Sequence, residues 1–184
     1  MKGKILISTA NLLDDEVFGK TIIYLVDEDE ETHMGFIVNK PLYYRVSEAT
    51  DLKGNFQLYF GGPVSEDRMF FIHSGIPSLK PSSLSIDGRF WFGGDFEELK
   101  RIVEKDPASL EGKIKFFAGY SGWGREQLRE EIRKNFWYVT SPEKIKQGFD
   151  PININPGKAW ENIVSQIDDK MFFWKNSPES PQWN

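Results

Sequence analysis

Short apolar runs, separated by charged or glycine-marked connections, recur along most of the chain. Residues 4–8 (KILIS), 20–26 (KTIIYLV), 34–39 (MGFIVN), 57–60 (QLYF), 68–73 (RMFFIH), 114–120 (IKFFAGY) and 136–139 (FWYV) are rich in β-branched and aromatic side chains, and each predicts a strand. Residues 27–32 are an acidic connection, so the second and third runs read as a hairpin with a charged tip, and Pro41 stops the third. Asp87-Gly88, set between apolar positions, predicts a tight type I′ hairpin over residues 85–92. Residues 11–18 read as a loop or a short helical turn.

Helical spacing appears in three places. Phe96, Leu99, Ile102 and Val103 follow Asp95, an N-cap residue with Glu98 three positions on, and Pro107 marks the end. Residues 125–134 carry Leu128 and Ile132 on one side. Beyond Pro156, Ala159, Trp160, Ile163, Val164 and Ile167 share a face. Single turns are expected at residues 47–52, capped by Ser47, and at Ser141-Pro142. Strands outnumber helices and mostly follow one another directly. The expected class is therefore α+β with a mostly antiparallel sheet.

The chain of 184 residues reads as a single domain over 1–184, with a loosely held tail from about residue 176. Fifteen per cent of the residues are aromatic, so the core or a binding face is built on rings. A net charge of -5 disfavours approach to a phosphate backbone. Arg125, Arg129 and Arg133 share a helix face, but Glu126 and Glu130 offset them and no nucleic-acid-binding signature accompanies them. The absence of cysteine excludes disulfides, thiolate nucleophiles and iron–sulfur clusters. The first apolar run is too short for a signal-peptide core or a membrane span, which gives the expectation of a cytoplasmic protein with no membrane contact.

Residues 115–124 (KFFAGYSGWG) read as a strand, a glycine-rich turn and the start of a helix. Ser121 there resembles a nucleophile elbow, but Trp123 displaces the final glycine and no histidine follows His73 to serve as base. An anion pocket on the amides of residues 121–124 would lack both dinucleotide and Walker patterns. Of the two histidines, His73 at a strand end reads as structurally satisfied and His33 as solvated. Neither belongs to a spaced ligand motif, so no metal and no cofactor is expected. The acidic run 27–31 lacks the spacing of an EF-hand loop and reads as a solvated hairpin tip.

Gly35-Phe36-Ile37-Val38-Asn39-Lys40-Pro41 looks like the pattern G-x-V-L-N-[RK]-P, Gly61-Gly62-Pro63-Val64 matches GGPV, and residues 119–128 resemble G-Y-[AS]-G-W-G-x-x-Q-L. In order and spacing these elements are similar to those of the AlgH/YqgE family of bacterial proteins, from about Lys4 to Asp169. The resemblance implies a compact fold in which a bent, partly split sheet wraps around helices. It implies a bacterial cytoplasmic protein and brings no catalytic residues; the family name derives from a proposed role in transcriptional regulation. Two departures stand out. The family's D-P-x-F-x-R-T is replaced by Asp15-Glu16-Val17-Phe18-Gly19-Lys20-Thr21, which would weaken a site needing a bidentate guanidinium. Ser121 stands where alanine is common.

These readings converge on a non-enzymatic binding or regulatory protein acting through a protein partner or a small ligand. Its candidate surface is Asn39, Pro41, Gly62, Pro63, His73, Gly119, Tyr120, Trp123 and Gly124, if the three marked turns meet in space. The alternative is a small-molecule enzyme centred on His73 with Asp95 or Asp87. Direct DNA binding ranks third.

Overall fold

The computed structural model describes residues 1–167. Ten strands are joined in one open sheet: β1 Ile5–Ser8, β2 Ile22–Glu28, β3 Thr32–Ile37, β4 Pro41–Arg45, β5 Gln57–Phe60, β6 Val64–His73, β7 Leu84–Ser85, β8 Trp91–Phe92, β9 Ile114–Gly124 and β10 Trp137–Thr140. Four helices accompany it: α1 Val46–Ala49, α2 Phe96–Lys105, α3 Arg125–Arg133 and α4 Ala159–Ile167. The main order is β10-β1-β2-β3-β9-β6-β8-β7, with β4 beside β5 and β5 beside β9. Only the β5–β9 pairing is parallel, so the expected α+β class with a largely antiparallel sheet holds.

The apolar runs lack polar alternation because both faces of the central strands are covered. In β2, Ile22, Tyr24 and Val26 point into one cluster with Phe149 and with Trp160, Ile163 and Val164 of α4. Ile23 and Leu25 point into another, with Trp123, Trp137 and Leu128 of α3. Leu99 and Val103 of α2 close a third against Phe71 and Phe116. Burial of such side chains contributes roughly 1.5–3 kcal/mol each. The indole N–H of Trp160 donates to Ser8 O at 3.0 Å, tying α4 to β1.

The sheet branches at β9. Along one side of this strand, residues 116–118 pair with β5 and residues 121–124 pair with β3. On the other side β6 runs its length, reaching Val64 opposite Tyr120. Gly61 sits where the partner changes: its N–H donates to Ala118 O, and its carbonyl accepts from Ile37 N at 2.9 Å and from the Ser121 hydroxyl at 3.2 Å.

Two local expectations are corrected. The glycine-rich segment is not a turn: β9 continues to Gly124 and passes directly into α3, with Gly119 at φ +67° inside the strand, opposite residues 65–68 of β6 where the register shifts. The Asp87-Gly88 connection is not type I′, which needs positive φ at both positions; only Gly88 has it, and the Asp87 carboxylate accepts from the amides of Arg89 and Phe90. As expected, β3 ends before Pro41, at Ile37; Pro41 then opens a short edge strand, where its missing N–H costs nothing. The tail expected from residue 176 lies outside the described residues.

Glu131 is the pin between α3 and the sheet. One of its oxygens accepts from Trp123 Nε1 at 2.8 Å and from Trp137 Nε1 at 2.7 Å, and the other from Gln127 at 2.9 Å. Glu131→Ala leaves two indole donors in an apolar cluster and should cost about 2–4 kcal/mol in urea denaturation. A loss below about 0.5 kcal/mol, typical of a surface substitution, would contradict that role.

Candidate functional site

The structure divides the predicted surface into three places. Gly62, Gly119 and Tyr120 meet at the branch, with exposed Pro63 beside them. A side chain on Gly62 would fall 2.3 Å from Tyr120 C, and one on Gly119 would fall 2.4 Å from Gly62 O, so two backbones touch there. Tyr120 is half-buried and packs edge-on against Phe70, at 5.6 Å between centroids. Trp123 belongs to the opposite face, edge-on to Trp137 at 5.9 Å. Gly124 is the N-cap of α3.

Asn39 and Pro41 lie past the other end of β3. Asn39 is buried, accepting from Ile22 N and donating to Lys20 O, both at 2.9 Å, so it fixes the start of β2. Pro41 pairs with Tyr59.

His73 is farther still, at the opposite end of β6 from Val64, on the order of 25 Å along the strand. It is fully buried, its ring stacked on Trp91. Its Nδ1 accepts from Ile76 N at 3.0 Å and its Nε2 lies 2.9 Å from the Ser83 hydroxyl. Burial, with the Lys80 charge beside it, pushes the imidazole down to about 4. The alternative centre finds no partners here: Asp95 caps α2 through Glu98 N, and Asp87 holds its own turn. Because the folded pKa lies below the unfolded one, stability is complete above about pH 6.5 and falls as pH approaches 4. The slope should approach about 1.4 kcal/mol per pH unit in that window. Urea denaturation between about pH 7 and 4.5 checks it, and His73→Gln should remove that component.

Ser121 is also buried, its hydroxyl donating to Gly61 O, so it is not an exposed nucleophile. Residues 121–124 pair with β3, and Arg125 N donates to Glu31 O at 2.7 Å, while no N-cap side chain bonds the amides that follow.

What the branch does create is a cleft of about 380 Å³. Its lining comes from the β2–β3 tip (Asp27, Glu28, Asp29, Thr32, His33, Met34), from Val64, and from Tyr120, Gly122, Trp123 and Gly124. Sequence reasoning missed the part played by the tip. His33, expected to be solvated, is buried at 6% exposure, because the β3–β9 pairing with Trp123 covers it. Its Nδ1 lies 3.3 Å from Glu28 Oε2 without hydrogen-bond alignment. Burial lowers its pKa, against the opposing pull of Glu28. A larger, more open depression of about 740 Å³ is rimmed by Lys2, Lys4, Arg89, Lys146, Asp87 and Glu143. Its rim is net positive, four cations against two carboxylates, and of these Arg89 pairs with Asp87 at 3.3 Å. Among the described residues no group of three or more His, Asp or Glu could hold a metal ion, and no helix is long and apolar enough to cross a membrane.

Taken together, these features define an α+β protein with a branched, largely antiparallel sheet and an acidic surface cleft at the branch. The chain belongs to the AlgH-like family, whose sequence profile matches residues 5–171. It is 34% identical over 187 residues to a UPF0301 protein of Bacteroides fragilis, covering 100% of this chain and 91% of that one. It is 35% identical over 189 residues to a UPF0301 protein of Parabacteroides distasonis, with the same coverage of 100% and 91%. The fold matches the solution structure of the AlgH protein from Pseudomonas aeruginosa with a TM-score of 0.70 at 23% identity, over 96% of this chain and 93% of that one. It also matches a crystal structure from Corynebacterium diphtheriae with a TM-score of 0.71 at 17% identity, over 96% and 92%.

Proposed function

We propose that this is a non-catalytic binding protein of the cytoplasm, acting through a protein partner or a small ligand, and that the cleft between the β2–β3 tip and the end of β9 is its recognition site. One observation carries the reading: the cleft collects charged, aromatic and flexible apolar side chains at the branch, while His73 and Ser121 are buried and engaged in structural hydrogen bonds. Concave sites of this size with a few convergent polar groups are where ligands settle. Of the surface expected from sequence, this reading keeps Tyr120, Trp123 and Gly124, which line the cleft, and leaves out Asn39, Pro41 and His73; Gly62, Pro63 and Gly119 stand beside it at the branch without lining it. A regulatory role, in keeping with the family's name, would act through that partner rather than through direct DNA contact, given the net charge of -5.

Native mass spectrometry of protein gently purified from its own cells tests the reading. The wild type should carry a mass excess that Tyr120→Ala loses while remaining folded. An excess retained in full by Tyr120→Ala would put the site elsewhere.

A further inference from the structure

Away from the branch, three distant parts of the chain carry cations into one depression. Gly3, at φ +79°, allows the turn in which Lys4 N donates to Met1 O at 3.0 Å, and Lys2 and Lys4 flank it. That turn packs on the Asp87 turn: a side chain on Gly3 would meet Asp87 Cβ at 3.4 Å, which puts both lysines on one rim with Arg89. The third part is the segment 141–149, anchored by buried Ile145 and Phe149 in the cluster beneath α4, and it brings Lys146. All four cations line the depression of about 740 Å³.

The two carboxylates on the rim are already engaged. Asp87 accepts from the Arg89 and Phe90 amides on Oδ1 and pairs with the Arg89 guanidinium through Oδ2. Glu143 accepts from the Ser141 hydroxyl. Lys2, Lys4 and Lys146 make no ion pair among the described residues. Four cations against two carboxylates leave two positive charges over, in a chain whose net charge is -5. Like charges gathered on a concave surface focus the local potential and draw an anion. A phosphomonoester carries roughly two negative charges at neutral pH, and both lysine and arginine suit its oxygens.

A second, independent feature says what the anion is attached to. Arg89, Ile145, Gly148 and Phe149 also line a depression of about 380 Å³, so the two run together as one groove. Carboxamides replace charges in this half. Its one carboxylate, Asp150, is taken by the amides of Ile152 and Asn153. The Gln166 side chain spans from the 141–149 segment to α4, accepting from Gln147 N at 3.3 Å and donating to Asn162 O at 2.9 Å. The side-chain amides of Gln147 and Asn162 have no hydrogen-bond partner among the described residues, and each offers donors and an acceptor to the groove. Both halves fall in the size range of ligand sites, roughly 300–1,000 Å³.

We propose that this groove is a second binding site, which takes a small phosphomonoester with an uncharged, hydrogen-bonding body: the phosphate lies among Lys2, Lys4, Arg89 and Lys146, and the body extends past Ile145 and Phe149 toward Gln147 and Asn162. Nucleoside monophosphates and sugar phosphates share this chemistry.

The test is an amide chemical-shift titration of the full chain with adenosine 5′-monophosphate, with glucose 6-phosphate, with inorganic phosphate and with adenosine. One or both esters should give saturable shifts at Gly3, Lys146, Gly148 and Asn162, about tenfold or more tighter than inorganic phosphate or adenosine. Tighter binding of the nucleotide assigns a nucleoside phosphate as the source, and tighter binding of glucose 6-phosphate assigns a sugar phosphate. Raising salt to about 0.5 M should weaken the interaction. Lys146→Gln, at an exposed position, should weaken it about tenfold. Asn162→Ala should weaken it as well, which a bare patch of lysines would not show. No saturable response to either ester at about 10 mM, or a response to both esters no tighter than that to inorganic phosphate or to adenosine, overturns the proposal. The groove and the branch cleft share no lining residue, so that failure would leave recognition at the branch untouched.

Discussion

Gly62→Ala should leave little folded protein. Glycine there has φ +147°, a conformation that alanine adopts only with strain. Its Cβ would fall 2.3 Å from the Tyr120 carbonyl carbon and 2.4 Å from Ser121 N. Both are backbone atoms in β9, locked by pairing with β3 on one side and β6 on the other, so neither yields by a rotamer change. The strands must separate or the branch must re-register, and the expected loss exceeds about 4 kcal/mol, a large share of a domain's stability. Gly124→Ala is the matched control. Nothing lies within 4 Å of its added Cβ, its φ of -67° suits any residue, and an N-cap change from glycine to alanine costs about 1 kcal/mol or less. Soluble yield and urea midpoints read the contrast. A Gly62→Ala protein melting within about 5 °C of wild type would mean that β9 is not held as described.

Lys115 gives the second large effect. It is buried at 2% exposure. Its Nζ donates to Val38 O at 2.8 Å and Pro151 O at 3.1 Å and sits 3.9 Å from the centre of the Tyr59 ring. Burial pushes its pKa from the ordinary 10.5 down to about 7, with Asp150 pulling the other way. Between these values the unfolded chain holds a proton that the folded chain has released. Stability therefore rises with pH through that window and is lower by the full amount once pH drops below the folded value. The slope should approach about 1.4 kcal/mol per pH unit near pH 8–9. Lys115→Met removes the titrating group and keeps the volume, so a urea series over that range should show the rise in the wild type and its absence in the variant. Parallel pH profiles would show that Lys115 remains charged in the folded protein.

The order of strands and helices was legible because apolar runs and caps are local signals. The β2 and β3 runs, the Asp95 cap and the α4 face all appear where their spacing puts them. What failed was long-range. The glycines of residues 119–124 signal close approach or unusual dihedrals, but not which; a strand packed on Gly62 and a free turn leave the same letters. His33 reads as solvent-facing beside five acids, and only its pairing opposite Trp123 buries it. Lys115, between Ile114 and Phe116, carries no local sign that its ammonium turns inward to two carbonyls far along the chain. The candidate surface was legible in part for the same reason. Motif residues near each other in β9 and β6 meet, whereas His73 lies at the far end of a strand whose length exceeds its recognised apolar run.

Recognition at the cleft is tested most directly by site-specific photo-crosslinking in the protein's own cells. A benzophenone side chain replaces Val64 at the cleft wall in one strain and Lys105 at the exposed end of α2 in another. Position 64 should give a discrete adduct that position 105 does not, and Tyr120→Ala should abolish it. The same adduct from both positions, or none from position 64 in protein that is folded and abundant, would contradict a recognition site at the branch.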